Sequence, residues 1–155
     1  MTIRLKTLLK SLGISLGVGI LSALFTMGSM KVYKTINQPA LSLPSWLFPV
    51  VWTILFILMG ISAYNVYESD SIYKDISLKV YGVQLVVNFL WSIIFFNGRL
   101  YLFSFIWLLL LWSLIIVMIF LFYKVKPIAG YLQIPYLIWV TFAAYLNFMI
   151  YILNR

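Results

Sequence analysis

Five apolar runs set the limits on what this chain can fold into, each near the ~20 residues that a helix needs to cross ~30 Å of hydrocarbon. They cover approximately residues 8–30, 46–67, 78–96, 101–123 and 128–153. Inside lipid a segment must satisfy its own backbone N–H and C=O groups, so the runs read as helices and not as strands. The later connections, Glu68–Ser77, Asn97–Arg99 and Lys124–Pro127, are short and force neighbouring helices antiparallel. The expected fold is an all-α integral membrane protein: a bundle of five transmembrane helices forming one domain over residues 1–155. The long first loop, Met30–Ser45, is the exception, with room to fold over one mouth of the bundle. An odd number of spans puts the two termini on opposite sides.

Charge and chemistry narrow the function classes. Only 9% of residues are charged and 65% are hydrophobic, a balance that leaves no surface for a soluble domain. Arg4, Lys6 and Lys10 precede the first run as in a secretion signal. That run is too long for a signal core, and Gly28–Ser29 is a poor cleavage context, so it reads as a retained helix. Histidine and cysteine are absent, which removes the commonest metal ligand, the usual general base and any thiolate. Glu68, Asp70 and Asp75 share one polar stretch, so no span carries the carboxylate that a protonmotive carrier keeps. No metal, cofactor or catalytic residue is expected from this inventory. The formal net charge of +8 is dispersed among helix ends, where it meets anionic lipid; nucleic acid is not an expected partner. Seven Lys and Arg lie on the N-terminal side against four on the other, which favours a cytoplasmic N-terminus.

Helical spacing then picks out candidate faces. In the first run, Gly13-x-x-x-Gly17 and Ser15-x-x-x-Gly19 allow close helix approach, within the bundle or between subunits. In the second, Trp52, Phe56, Met59, Ala63 and Tyr67 share a face. In the third, Gln84, Asn88, Trp91 and Phe95 form a stripe of two amides and two aromatics, which should face the bundle interior. It serves either as an interhelical brace or as the wall of a ligand cavity. The fourth run is almost wholly apolar, broken only by Trp107, Trp112 and Ser113, and looks lipid-facing or structural. Arg99 before it snorkels to headgroups or meets an anionic group at the mouth. In the fifth, Tyr136, Trp139, Ala143 and Asn147 share a face, Ala143 leaves room beside Trp139, and Pro135 should kink the helix.

These blocks resemble the TspO/MBR family, which takes in the translocator proteins (peripheral-type benzodiazepine receptors) and the bacterial tryptophan-rich sensory proteins. The family's K-P-S-W-x-P-P-x-W loop is similar to Gln38-Pro39-Ala40-Leu41-Ser42-Leu43-Pro44-Ser45-Trp46, and its P-V-W to Val50-Val51-Trp52. Its Q-L-x-L-N-W-x-W stretch resembles Gln84-Leu85-Val86-Val87-Asn88-Phe89-Leu90-Trp91, followed by Ile94-Phe95-Phe96 and Arg99. Its P-Y-L-x-W block is reproduced by Pro135-Tyr136-Leu137-Ile138-Trp139, with Phe142 and Leu146-Asn147 beyond. The resemblance, closest to bacterial-type members, implies a bundle in a bacterial cell membrane, usually a homodimer, with a cavity under the first loop. That cavity would take protoporphyrin-type tetrapyrroles, and in some members cholesterol or isoquinoline-type drugs. By position Trp52, Asn88, Trp91, Trp139, Ala143 and Asn147 would line it, with Tyr33 and Pro44 near the lid; Phe56 and Phe95 join them from the stripes. Leu146, Tyr151 and Arg155 meet the cholesterol-motif pattern. The chain departs from the family at Leu41, Leu43, Phe89, Ser92 and Trp107, the last standing where an aspartate is usual.

The function implied is a membrane receptor or carrier that binds tetrapyrroles, or similar flat apolar ligands, in an aromatic-lined cavity. One alternative is a light- or oxygen-dependent porphyrin-degrading enzyme, in which any catalytic role would fall to Trp52 and Trp139. The other is a non-catalytic regulator that binds lipid or a partner.

Overall fold

The computed structural model describes residues 4–38 and 46–155, apart from the side chains of Met30, Val32 and Tyr33. The expected lid residues Tyr33 (side chain), Leu41, Leu43 and Pro44 therefore lie outside the described residues. Helix α1 (Leu5–Thr26) runs through a 3-10 turn (Met27–Ser29) into the short α2 (Met30–Thr35). Then come α3 (Leu47–Tyr67), α4 (Lys74–Ser92) with a π-helical turn at Ile93–Asn97, and α5 (Tyr101–Val125). Helices α6 (Pro127–Tyr131) and α7 (Ile134–Asn154) complete the described chain. Five segments are long and apolar enough to cross a membrane: Leu5–Ser29, Leu47–Tyr67, Lys74–Asn97, Tyr101–Val125 and Pro127–Asn154. The end of the bundle where α1 begins is called the N-side below, and the end where α7 finishes the C-side.

Close approach of α1 and α3 rests on two glycines. A Cβ on Gly60 would stand 3.0 Å from the Leu12 Cα and 2.8 Å from the Ser15 Oγ. One on Gly19 would stand 2.7 Å from the Phe56 Cδ2. At that separation the hydroxyls of Ser11 and Ser15 donate across the interface to the carbonyls of Gly60 and Phe56, each at 2.7 Å. The expected Ser15–Gly19 pair thus packs inside the bundle, whereas Gly13 and Gly17 meet nothing within 4 Å.

One reading is resolved and one is corrected. The fourth span is structural on one face only: Leu108, Leu111, Ile115, Met118 and Phe122 of α5 form a stripe with 0% exposure, while Phe103, Ile106, Val117 and Phe120 on its other face stay exposed. In hydrocarbon, lipid-facing and helix-facing positions are equally apolar, so composition does not separate them. Pro135 does not kink a continuous helix. It sits in the first turn of α7, where no N–H is needed, and the fifth span breaks before it at Leu132–Gln133.

Polar ties close both ends. On the N-side, Lys126 Nζ donates to Asn65 Oδ1 at 3.2 Å and Ser62 Oγ to the Ala129 carbonyl at 2.6 Å. On the C-side, Ser29 Oγ donates to Asn97 Oδ1 at 2.6 Å, and Asn97 Nδ2 to the Phe25 carbonyl at 2.8 Å. Farther along, the Asn37 N–H donates to Asn154 Oδ1 at 3.0 Å while Asn154 Nδ2 donates back to the Asn37 carbonyl at 2.7 Å. The first part of the long connection is thereby held between the α4–α5 corner and the end of α7.

Candidate functional site

A cavity of about 550 Å³ opens in the C-side half of the bundle, between α1, α3, α4 with its π turn, and α7. That size suits a small organic ligand. Helix α3 contributes Phe48, Pro49, Trp52, Thr53 and Phe56, and α4 contributes Asn88, Trp91 and Ser92. The π turn adds Phe95 and Phe96, and α7 adds Trp139, Ala143, Leu146, Asn147 and Ile150. All the described residues expected at a ligand site are therefore on this wall: Trp52, Phe56, Asn88, Trp91, Phe95, Trp139, Ala143 and Asn147. Their three- and four-residue spacing is what brings each set to one side of its helix.

The walls are aromatic and set at steep angles. The Trp52 ring stands at 90° to Trp139 with centroids 6.4 Å apart, and at 72° to Tyr136 at 6.2 Å. Opposite, Trp91 stacks on Phe95 at 5.3 Å, and Phe96 meets Phe95 edge-on at 4.9 Å. The π turn explains why two consecutive phenylalanines both reach the cavity. The Gly98 N–H bonds to the Ile93 carbonyl, five residues back, at 2.9 Å, which widens the helix by one residue.

The amides on these faces act both as brace and as wall. Asn147 bonds at both ends of its amide: its Oδ1 accepts from Trp91 Nε1 at 3.1 Å and stands 3.1 Å from Ser104 Oγ, whose one proton is shared with the Tyr101 carbonyl at 3.0 Å, and its Nδ2 donates to that carbonyl at 2.8 Å. One side chain thus ties α4, α5 and α7 together. Asn88 Nδ2 donates to the Tyr136 hydroxyl at 2.6 Å, which donates to Gln84 Oε1 at 2.7 Å. Gln84 is fully buried behind the wall and serves as brace alone. Trp107 finds a partner in the Val87 carbonyl at 2.8 Å.

Two wall residues each carry a polar atom that is left over: Trp139 Nε1 and Ser22 Oγ are buried, turned away from the open space, and without a hydrogen-bond partner among the described residues. No charged side chain lines the cavity among the described residues. Arg99 is not at its mouth. It is exposed, adopts φ 53° at the tight turn, and borders a separate C-side groove with Tyr101, Tyr151 and Arg155. The cholesterol-motif residues are likewise divided, with Leu146 in the cavity wall and Tyr151 and Arg155 in that groove.

Spacing alone missed the α1 wall, formed by Leu16, Gly19, Ser22, Ala23 and Thr26. The available signal was a run of small residues, Gly19, Ser22 and Ala23, which reads equally well as helix packing. Phe96 was missed because the π turn that exposes it has no sequence mark.

Comparison with known proteins places the chain in context. The family model for the TspO/MBR family matches residues 11–153. The chain is 38% identical to "Tryptophan-rich protein TspO" of Chlorobaculum tepidum over 151 residues, covering 96% of each chain. It is 37% identical to "Protein CrtK" of Rhodobacter capsulatus, over 88% of this chain and 85% of the relative. It is also 32% identical to the bovine (Bos taurus) "Translocator protein", over 92% of this chain and 83% of the relative.

Proposed function

The chain belongs to the TspO/MBR family and is an integral, multi-pass membrane protein, and from that premise we propose that it is a receptor or carrier for flat apolar ligands of the protoporphyrin type. The observation that carries the reading is the aromatic cavity, lined by no charged side chain among the described residues. A flat ring gains area against Trp52, Trp91 and Trp139. The two carboxylates of a porphyrin stay at the C-side mouth, because no charge inside would offset their desolvation. The exposed cations of α2, Lys31 and Lys34, lie at that end and supply the attraction. With no histidine or cysteine in the chain, axial ligation of haem iron lacks its imidazole and thiolate donors, so metal-free protoporphyrin is favoured over haem. A homodimer is part of this reading.

The test is a porphyrin titration of the purified protein followed by tryptophan quenching, with Trp52→Ala, Asn88→Ala and Trp139→Ala alongside. Saturable quenching that weakens in the variants supports the reading. Quenching no greater than in empty detergent overturns it and favours a regulator that binds lipid or a partner protein. A second reading, oxidative porphyrin breakdown in light, draws on the close perpendicular pair Trp52 and Trp139. It requires that Trp52→Phe and Trp139→Phe lose product formation while keeping binding. Product no greater than in detergent alone excludes it.

A further inference from the structure

We infer that the buried chain Asn88–Tyr136–Gln84–Met59 has a single direction, and that it selects ligands carrying an N–H or O–H donor at one edge. The argument rests on the proposed flat-ligand reading of the cavity and starts from its least accessible member. Gln84 is fully buried, with Nε2 3.9 Å from the Met59 Sδ and Oε1 2.7 Å from the Tyr136 hydroxyl. A thioether sulfur accepts weakly and does not donate. Turning the Gln84 amide over would set its oxygen against the sulfur, two acceptors facing each other, and leave the N–H without that acceptor. Met59 therefore decides which way Gln84 lies.

The rest follows by donor counting. Gln84 Oε1 is an acceptor, so the Tyr136 hydroxyl spends its one proton there. The Tyr136 oxygen can then only accept, and Asn88 must meet it with Nδ2, at 2.6 Å. This leaves the Asn88 carbonyl oxygen as the open end of the chain, with no hydrogen-bond partner among the described residues, on a side chain of the cavity wall. A methionine on α3, outside the cavity, thereby fixes the polarity of the floor. Asn88 presents an unpartnered carbonyl oxygen there, with one of its two Nδ2 protons committed to Tyr136. A ligand with an alcohol, lactam or amine proton at the edge that reaches Asn88 is matched. The same outline with that proton replaced by methyl is not, and leaves a carbonyl desolvated against an apolar group. Asn88 is in this sense a specificity-determining residue, with Tyr136, Gln84 and Met59 as positioning residues behind it.

The experiment uses the full chain in detergent and two flat probes of one outline, 1-pyrenemethanol and its methyl ether, read by energy transfer from tryptophan to pyrene. In the wild type the alcohol is expected to bind about threefold to tenfold tighter than the ether. Tyr136→Phe removes the fixed partner of Asn88, frees its amide to turn over, and should bring the ratio to about one while both probes still bind. Gln84→Met is the second variant. The Tyr136 proton then has Asn88 as its remaining partner, so the ratio again falls to one or below. Equal binding of the two probes by the wild type overturns the inference, as does a ratio unchanged in both variants. Failure of either probe to bind at all overturns the flat-ligand reading beneath it, a result distinct from equal binding.

Discussion

Trp91 on α4 and Asn147 on α7 are joined across the back of the cavity by an indole N–H to amide oxygen hydrogen bond of 3.1 Å. The same Asn147 oxygen stands 3.1 Å from Ser104 Oγ, and its nitrogen donates to the Tyr101 carbonyl at 2.8 Å. Removing this one side chain takes a partner from groups on two other helices. Asn147→Leu should therefore destabilise the protein by about 1 kcal/mol, two interhelical bonds at the modest value each has in a membrane, since Ser104 keeps the Tyr101 carbonyl as its partner. Thermal or denaturant unfolding in detergent measures this. A variant as stable as the wild type would show that the brace contributes nothing.

The two interface glycines should behave differently. Gly60→Ala puts a methyl against the Leu12 backbone, which cannot step aside, so α1 and α3 are forced apart and stability falls. Gly19→Ala meets the edge of the Phe56 ring, which can turn into the cavity. Its expected signature is ligand affinity reduced about tenfold with little change in unfolding temperature. Titration and melting of the two variants side by side decide this.

Trp139→Phe keeps an aromatic wall and deletes an unpartnered buried N–H. Stability should hold or rise slightly, because an unsatisfied donor is removed. Affinity for a flat ligand should change by less than about threefold, because the ring face is kept and the deleted N–H has no surface in the cavity. A loss of stability would assign the N–H a structural partner instead.

If Lys31 and Lys34 attract the carboxylates of a bound porphyrin, Lys31→Ala/Lys34→Ala should weaken binding of protoporphyrin and flatten its salt dependence. Binding of the dimethyl ester, which lacks the charges, should not respond to either change. Titrations of both compounds at low and high salt separate the outcomes.

Much of the site was legible because its signals are local. The stripe Gln84–Asn88–Trp91–Phe95 and the face Trp139–Ala143–Asn147 follow from helical spacing alone, and the cavity wall holds every one of them except Gln84. Gln84 sits one turn deeper, where it serves the Asn88 chain from behind. Arg99 does not follow its neighbours in sequence, Phe95 and Phe96, to the cavity, so of its two expected places the mouth drops out. The turn that reverses the chain at Gly98 and Arg99 carries the guanidinium to another face.

The sequence by itself determined the spans, their helical state and which side chains share a helix face. Each of these depends on neighbours within a few turns and on the demand that backbone in lipid satisfy itself. Only the tertiary structure decided which stripe of the plainest helix, α5, is buried, that small residues of α1 form a cavity wall, and that Asn88 meets Tyr136 through its nitrogen. Hydrocarbon does not distinguish lipid from protein by polarity, and the direction of an amide is set by a partner on another helix.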